Sequence, residues 1–252
     1  MEVIPIKLAR QSRKFDLFAC LVHSGSDFLN NDILIVSSKY VSISQGSFIS
    51  LDRVKVSKRA EAISETFHIQ KELAEIILRE ADSIIMGMPG YLLTIKDGNL
   101  APNAGIDKSN ISSGRVVLYP ANPFQLAKNL RLKFRVNLGL NIAVIFSDSR
   151  LMPTRIGTTG VAIAASGLEP VEDQRGRKDL FGNVLKVTIK AIADDLATIG
   201  VMTMGEGDES IPAVIIRGVQ FRRREEDLDW RNMAVEPSQD IYLRKIAYEF
   251  SR

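Results

Sequence analysis

The loop Pro102-Asn103-Ala104-Gly105-Ile106-Asp107-Lys108-Ser109-Asn110 lies between two apolar segments, and the rest of the chain is best understood from it. Its Asn, Gly, Asp and Ser residues favour turns, which leaves their side chains free for chemistry. Two other stretches, Phe146-Ser147-Asp148-Ser149 and Met204-Gly205-Glu206-Gly207-Asp208-Glu209-Ser210, also place acidic and hydroxyl oxygens on predicted loops at the ends of apolar runs. Such oxygens are typical ligands of a hard metal ion with its phosphates. Any one stretch alone is more often explained by turn or capping geometry.

Composition restricts the classes of protein to which the chain can belong. Its 252 residues are 45% hydrophobic and carry a formal net charge of +3. This near balance of acids and bases argues against nucleic-acid and membrane-surface partners. The one cysteine, Cys20, lies in an apolar helical pattern, so a disulfide framework is excluded. With no membrane-spanning run and no signal-like start, we expect a cytoplasmic protein.

Hydrophobic periodicity predicts an α+β fold of short strands and helices, without regular βαβ alternation. The predicted strands are Glu2–Ile6, Asp32–Val36, Tyr91–Leu100 as a hairpin around Asp97-Gly98, Arg115–Leu118, Asn141–Phe146, Val184–Ile189 and Ala213–Arg217. The predicted helices are Phe15–Val22, Ser57–Phe67, Gln70–Ala81, Phe124–Val136, Asp194–Met202 and a last one near Ile241–Phe250. We expect a single domain over residues 1–252, with room for two lobes.

Three loops carry weaker signals for anion binding. Ser37–Ser42 is predicted as a polar exit from a strand, with Lys39 as its one cation. Gly157-Thr158-Thr159-Gly160 is predicted as a loop, but it lacks the spacing and Lys-Ser/Thr ending of a Walker loop. The basic turn from Arg175 to Gly182 is sharper, because Arg177 and Lys178 in a glycine-framed loop can bind carboxylate or phosphate groups.

Taken together and in order, four motifs resemble the coenzyme F-420 gamma-glutamyl ligase family. They are Asn103–Asn110, Asp148-Ser149 with Arg155 and Gly157 after it, Gly176–Gly182, and Met204–Gly207. The resemblance runs from the strand at Asp32 to about Gly218. It implies a mixed-sheet, two-lobed α+β ligase fold that forms an intertwined homodimer.

The resemblance also implies the reaction. Family members use GTP and divalent metal to attach L-glutamate, in gamma linkage, to the precursor of an archaeal-type deazaflavin coenzyme. Activation of a carboxylate by a nucleoside triphosphate, through an acyl phosphate, makes physical sense of such a reaction. One or two Mg²⁺ or Mn²⁺ ions would neutralise the transferring phosphoryl group, and a monovalent cation is a further cofactor that the resemblance allows.

Position by position, the resemblance implies roles for individual residues. The metal ligands would be Asp107, Asp148, Ser149 and Glu206. The GTP contacts would be Ser38, Lys39, Asn110 and the loop Met204–Ile211, with Met204, Gly205, Gly207 and Asp208. Arg155, Arg177 and Lys178 would orient the coenzyme or the incoming glutamate during catalysis.

Three segments depart from the family pattern. Leu8–Ser12 replaces a Gly-Leu-Pro type loop, Ile43 stands where a lysine is typical, and Arg150–Pro153 replaces a continuation through a Gly-Arg pair. Two alternatives to the deazaflavin ligase therefore stay open. One is a metal-dependent amide ligase with another substrate, and the other is a non-catalytic binding or regulatory relative.

Overall fold

A computed structural model describes residues 1–244, which form two compact units. The first unit comprises residues 1–10, 16–38 and 122–233, and the second comprises residues 11–15, 39–121 and the described part of the stretch that begins at 234. The described chain is mixed α and β with a mixed sheet, which confirms the predicted fold class. No helix within residues 1–244 is both long and apolar enough to cross a membrane.

The strands are β1 (Glu2–Ile6), β2 (Ile33–Ser37), β3 (Phe48–Ser50), β4 (Ser83–Met88), β5 (Tyr91–Lys96), β6 (Asn99–Pro102), β7 (Arg115–Val117), β8 (Ala143–Leu151), β9 (Thr158–Ser166), β10 (Glu172–Asp173), β11 (Ile189–Lys190) and β12 (Ala213–Arg217). The α-helices are α1 (Leu17–Val22), α2 (Ser38–Gln45), α3 (Lys58–Phe67), α4 (Lys71–Glu80), α5 (Pro123–Leu138) and α6 (Ile192–Met204). Three short 3-10 turns cover Leu51–Arg53, Asn103–Gly105 and Trp230–Asn232.

The first unit is built on a five-stranded sheet in the order β1-β12-β2-β8-β9. β2 and β8 run parallel, and the other neighbours run antiparallel. Ile33 and Ile35 of β2 join a core with Leu196 and Ala197 of α6. Leu34 is equally buried and faces the other side by strand alternation, so the sheet is covered on both faces.

Helix α6 approaches the sheet closely at two glycines. A Cβ atom added at Gly160 of β9 would meet the carbonyl oxygen of Ala197 and lie 2.7 Å from its carbonyl carbon. At Gly200 of α6, an added Cβ atom would lie 2.5 Å from Cγ2 of Ile35. Gly160 therefore serves helix-to-sheet packing, and Thr158, Thr159 and Gly160 are part of a strand. The prediction of a loop at these three residues was wrong.

The second unit combines helices α3 and α4 with the antiparallel sheet β4-β5-β6 and the pair β3-β7. Ser57 begins α3, because its side chain accepts a hydrogen bond from the amide of Ala60. Ile76 and Ile77 of α4 are fully buried beside Leu92. The predicted Asp-Gly hairpin is confirmed: Asp97 and Gly98 both have positive φ and connect β5 to β6. Strand β4 was not predicted.

Helix α2 replaces the predicted strand exit at Ser37–Ser42. Its serines and β-branched residues have low helix propensity, which favoured the prediction of a loop. Tertiary packing prevails, because Tyr40, Val41 and Ile43 are buried and the Tyr40 ring packs 4.8 Å from that of Phe15. The predicted polar exit was therefore wrong.

Strand β8 continues well past Phe146, where the predicted strand ended. Asp148 and Ser149 lie within it, opposite Val161 and Gly160 of β9, after a register shift between Phe146 and Ser147. The prediction that the two residues lie on a loop was wrong, because β9 supplies pairing partners that the sequence does not reveal. A β-bulge of this kind changes the direction in which the following side chains point.

Two further predictions concern a strand and the last helix. Of the predicted strand at 184–189, only Ile189 is in a strand, β11. The predicted helix near Ile241–Phe250 lies for the most part outside the described residues. Two basic residues of α5 pair with acids: Arg131 is buried and bonds Glu225 at 2.9 Å, and Lys128 lies 2.6 Å from Asp227.

Candidate functional site

The first unit brings together three oxygen-bearing residues that sequence reasoning singled out. Strand β8 supplies Asp148 and Ser149, and the loop after α6 supplies Glu206. The hydroxyl of Ser149 donates a hydrogen bond to Oε1 of Glu206. The backbone amide of Ser149 donates to Oδ1 of Asp148 at 3.0 Å. Two carboxylates and a hydroxyl from distant parts of the chain therefore form one connected group.

Arg150 is a member of this group that sequence reasoning missed. It is 5% exposed, and its Nη2 lies 2.9 Å from Oδ2 of Asp148. Within residues 1–244, neither its buried Nε nor that Nη2 has a hydrogen-bond partner, so the contact with Asp148 is an ion pair without hydrogen-bond geometry. The i, i+2 spacing on a strand could have shown that Arg150 shares a face with Asp148. The prediction of a loop at these residues hid that signal. The pair holds the Asp148 carboxylate between a guanidinium and a backbone amide.

The acidic loop folds around one of its own carboxylates. Met204 is buried at the end of α6, and Gly205 then adopts a φ of 72°. The amide of Gly207 donates to Oε2 of Glu209 at 2.8 Å. Glu206 and Asp208 remain exposed. The loop thus presents backbone and carboxylate groups to solvent beside Ser149, as expected of a ligand-binding loop.

The second unit contains Asp107 in a different setting. Its backbone amide and carbonyl pair with Val117 at 2.9 Å each, which fixes the residue beside β7. Oδ2 of Asp107 lies 2.8 Å from Nζ of Lys39, and Oδ1 accepts hydrogen bonds from both the amide and the hydroxyl of Ser109. Asn110 follows, exposed and with a φ of 55°.

Ser38 and Lys39, which are both predicted to contact the nucleotide, belong to different units. Ser38 starts α2 and belongs to the first unit, where it is 7% exposed. Lys39 belongs to the second unit and bonds the hydroxyl of Ser109 at 2.6 Å as well as Asp107. Both oxygens that Lys39 contacts come from the Pro102–Asn110 stretch.

The three cations predicted to orient substrate are all exposed. Arg155 ends a turn in which its amide donates to the carbonyl of Met152 at 3.2 Å. Arg177 bonds Gln174 at 3.0 Å within its own loop, and Lys178 pairs through its backbone with Val184. That loop is held by Asp179, where hydrogen bonds from the side chain and the amide of Asn183 lower the pKa of the Asp179 carboxyl.

The donor atoms suit a hard divalent cation. Asp148, Ser149 and Glu206 offer only oxygen, the ligand type that Mg²⁺ and Mn²⁺ prefer. Within residues 1–244, no group of three or more His, Cys, Asp or Glu side chains is placed to hold a metal ion. The group in the first unit has two carboxylates, so substrate oxygens or water would have to complete the shell around an ion.

Comparison with known proteins agrees with the resemblance. A family described as F420-0:Gamma-glutamyl ligase matches residues 6–218. The chain is 36% identical to the coenzyme F420:L-glutamate ligase of Methanopyrus kandleri over 245 residues, which covers 96% of this chain and 97% of the relative. It is 33% identical to the enzyme of the same name from Archaeoglobus fulgidus, over 90% of this chain and 96% of the relative. The chain therefore belongs to the F420-0:gamma-glutamyl ligase family.

Proposed function

We propose that this protein is a GTP- and metal-dependent ligase that adds L-glutamate, in gamma linkage, to the precursor of coenzyme F420. Its family membership and the names of its relatives support this substrate class. The contact between Ser149 and Glu206, 57 positions apart in sequence, is the observation that carries the proposal. It joins two predicted metal ligands with Asp148 in one group of oxygens.

The chemistry needs a carboxylate made reactive toward an amine. In the proposed reaction, a carboxylate oxygen attacks the γ-phosphorus of GTP and GDP leaves, which gives an acyl phosphate. The neutral amine then attacks the acyl carbon and the amide bond forms; inorganic phosphate leaves with the bonding electron pair, and the proton lost from nitrogen passes to phosphate or water. Asp107, Asp148, Ser149 and Glu206 would hold one or two Mg²⁺ or Mn²⁺ ions, whose charge neutralises the phosphoryl oxygens.

Other residues would bind and orient the substrates. Ser38, Lys39 and Asn110, with the loop that contains Gly205, Gly207 and Asp208, would contact GTP. The exposed side chains of Arg155, Arg177 and Lys178 are long cations that can reach a phosphodiester or a carboxylate. Their role is to fix the reacting groups at short range, where orientation lowers the barrier.

Metal-dependent nucleotide binding tests the proposal directly. We expect GTP to bind the wild-type protein in the presence of Mn²⁺ and to raise its melting temperature with ligand concentration. Asp107→Asn should weaken that binding by about tenfold or more, because a neutral amide is a poor ligand for a divalent ion. Calorimetry with GTP and ATP, each with and without Mn²⁺, measures both effects. Absence of any nucleotide binding would favour a non-catalytic relative, and hydrolysis stimulated by another acid would favour a different substrate.

We also propose that the protein is a homodimer, as the family resemblance implies. Large apolar side chains of the first unit are exposed: Phe181 is 90% exposed, Leu180 is 100% exposed and Ile156 is fully exposed. Exposed apolar surface can serve as an interface between two copies of a chain. In sedimentation analysis we expect twice the chain mass of 28.0 kDa. Phe181→Asp should shift the protein toward the single-chain mass while its circular dichroism spectrum remains that of a folded chain, and a wild-type protein of single-chain mass would contradict the dimer.

A further inference from the structure

Lys39 occupies the position at Asp107 that a cationic ligand would need. Its Nζ lies 2.8 Å from Oδ2 of Asp107 and 2.6 Å from Oγ of Ser109. The Lys39 and Asp107 side chains are only 22% and 36% exposed, so this is a half-buried pair. The other carboxylate oxygen is already bonded to Ser109, at 2.6 Å from its amide and 2.8 Å from its hydroxyl. Every carboxylate oxygen of Asp107 thus has a partner within the chain.

An ammonium group and a divalent ion compete for such a carboxylate. An oxygen that accepts a hydrogen bond from Lys39 cannot give the same lone pair to a metal ion. The two cations also repel each other strongly at contact distance in a half-buried place. Asp107 should therefore bind a metal ion more tightly once Lys39 has left Oδ2.

The two residues are not equally free to move. Asp107 is held by two backbone hydrogen bonds to Val117, each 2.9 Å long. Lys39 reaches it with a flexible four-carbon side chain from the first turn of α2. The side chain of Lys39 can swing away while Asp107 and α2 stay in place.

We propose that Lys39 is an exchangeable counter-ion, which neutralises Asp107 in the metal-free protein and is transferred to the phosphates of the bound nucleotide when metal occupies Asp107. This inference rests on the proposed function. It makes Lys39 a positioning residue that links two ligands: metal binding frees the ammonium for the nucleotide, and the nucleotide draws the ammonium away from the metal ligand. Such linkage is necessarily reciprocal.

The exchange predicts opposite effects of one substitution on two ligands. In Lys39→Met, no ion pair with Asp107 has to be broken before a metal ion binds. Mn²⁺ without nucleotide should therefore bind about fivefold more tightly. GTP in the presence of saturating Mn²⁺ should bind roughly tenfold more weakly, because one charged contact to phosphate is lost. Calorimetry measures both dissociation constants without any assay of activity.

Lys108→Met is the matched control. It removes the same charge from the residue next to Asp107, but Nζ of Lys108 contacts Gln70 at 3.4 Å instead of the Asp107 carboxylate. Both of its dissociation constants should stay within about twofold of wild type, since exposed charges act weakly in salt. Lys39→Arg, which keeps the charge, should bind Mn²⁺ as wild type does. Thermal unfolding of each variant checks that it is folded.

The outcomes separate this inference from the proposed function. If wild type binds Mn²⁺ and GTP while Lys39→Met has the dissociation constants of Lys108→Met, the exchange is wrong and the proposed function stands. If Lys39→Met gains affinity for Mn²⁺ and keeps its affinity for GTP, the transfer to phosphate is wrong. If wild type binds neither ligand, the proposed function fails together with the exchange. Opposite shifts of the dissociation constants for Mn²⁺ and GTP in Lys39→Met support the exchange.

Discussion

Asp148→Asn should lower kcat/KM for glutamate addition by at least about a hundredfold, which corresponds to roughly 2.7 kcal/mol of transition-state stabilisation. The amide can still accept a hydrogen bond from Ser149, so the local backbone is preserved. What is lost is the negative charge that lies 2.9 Å from Arg150 and that would serve a metal ion. The dissociation constant of Mn²⁺ should rise in parallel, which calorimetry can measure.

Stability must be separated from catalysis in this experiment. Asp148→Asn leaves the buried guanidinium of Arg150 without its counter-ion, which should lower the free energy of unfolding by about 1–3 kcal/mol. The double variant Asp148→Asn/Arg150→Met removes both charges and should recover most of that loss but none of the activity. Asp173→Asn, in the same unit but paired with Arg175, is the control and should keep near wild-type activity. Turnover of Asp148→Asn within a few-fold of wild type would contradict the metal-ligand role.

Asp32→Ala should be strongly destabilising, with a loss of about 3–5 kcal/mol in the free energy of unfolding. Asp32 is fully buried at the start of β2. Its carboxylate accepts hydrogen bonds from Nε and Nη2 of Arg217 at 2.8 Å and 2.9 Å, and from the amide of Leu29 at 2.7 Å. Removing it leaves Nε of Arg217 and the amide of Leu29 without their acceptor, while Nη2 of Arg217 keeps the carbonyl of Asp27 at 2.8 Å.

Urea denaturation of Asp32→Ala and Glu2→Ala measures this effect against a matched control. Glu2 also lies near Arg217, at 4.0 Å, but its side chain is 64% exposed. Surface pairs of this kind contribute roughly 0–1 kcal/mol, so Glu2→Ala should unfold almost as wild type does. Equal and small losses in both variants would mean that water replaces the buried acceptor without cost.

The departures from the family pattern have different structural consequences. The amide of Leu8, in the changed first loop, donates to the carbonyl of Ser210 at 3.1 Å, so this loop is tied to the acidic loop that follows Met204. Because α2 is a helix, Lys39 and Ile43 are one turn apart on the same face, although Ile43 is buried. Lys39 is the member of this pair that can reach an anion.

The sequence alone was sufficient to predict local structure wherever local signals and burial agree. The apolar run at Ile33–Val36, the Ser57 cap of α3 and the Asp97-Gly98 turn each favour one local structure through short-range physics. The family also follows from ordered motifs in the sequence. The residue types needed for a hard-metal site were visible in the same way, because carboxylate and hydroxyl oxygens can be recognised without coordinates.

Tertiary structure decided what depends on partners far away in the chain. Asp148 and Ser149 lie in a strand because β9 pairs with them, and α2 is a helix because its apolar side chains find a core. The pairing of opposite charges likewise could not be predicted from the sequence. Glu225 bonds Arg131, which lies 94 positions away in the sequence. Ion pairs are set by three-dimensional distance, and the sequence specifies only distance along the chain.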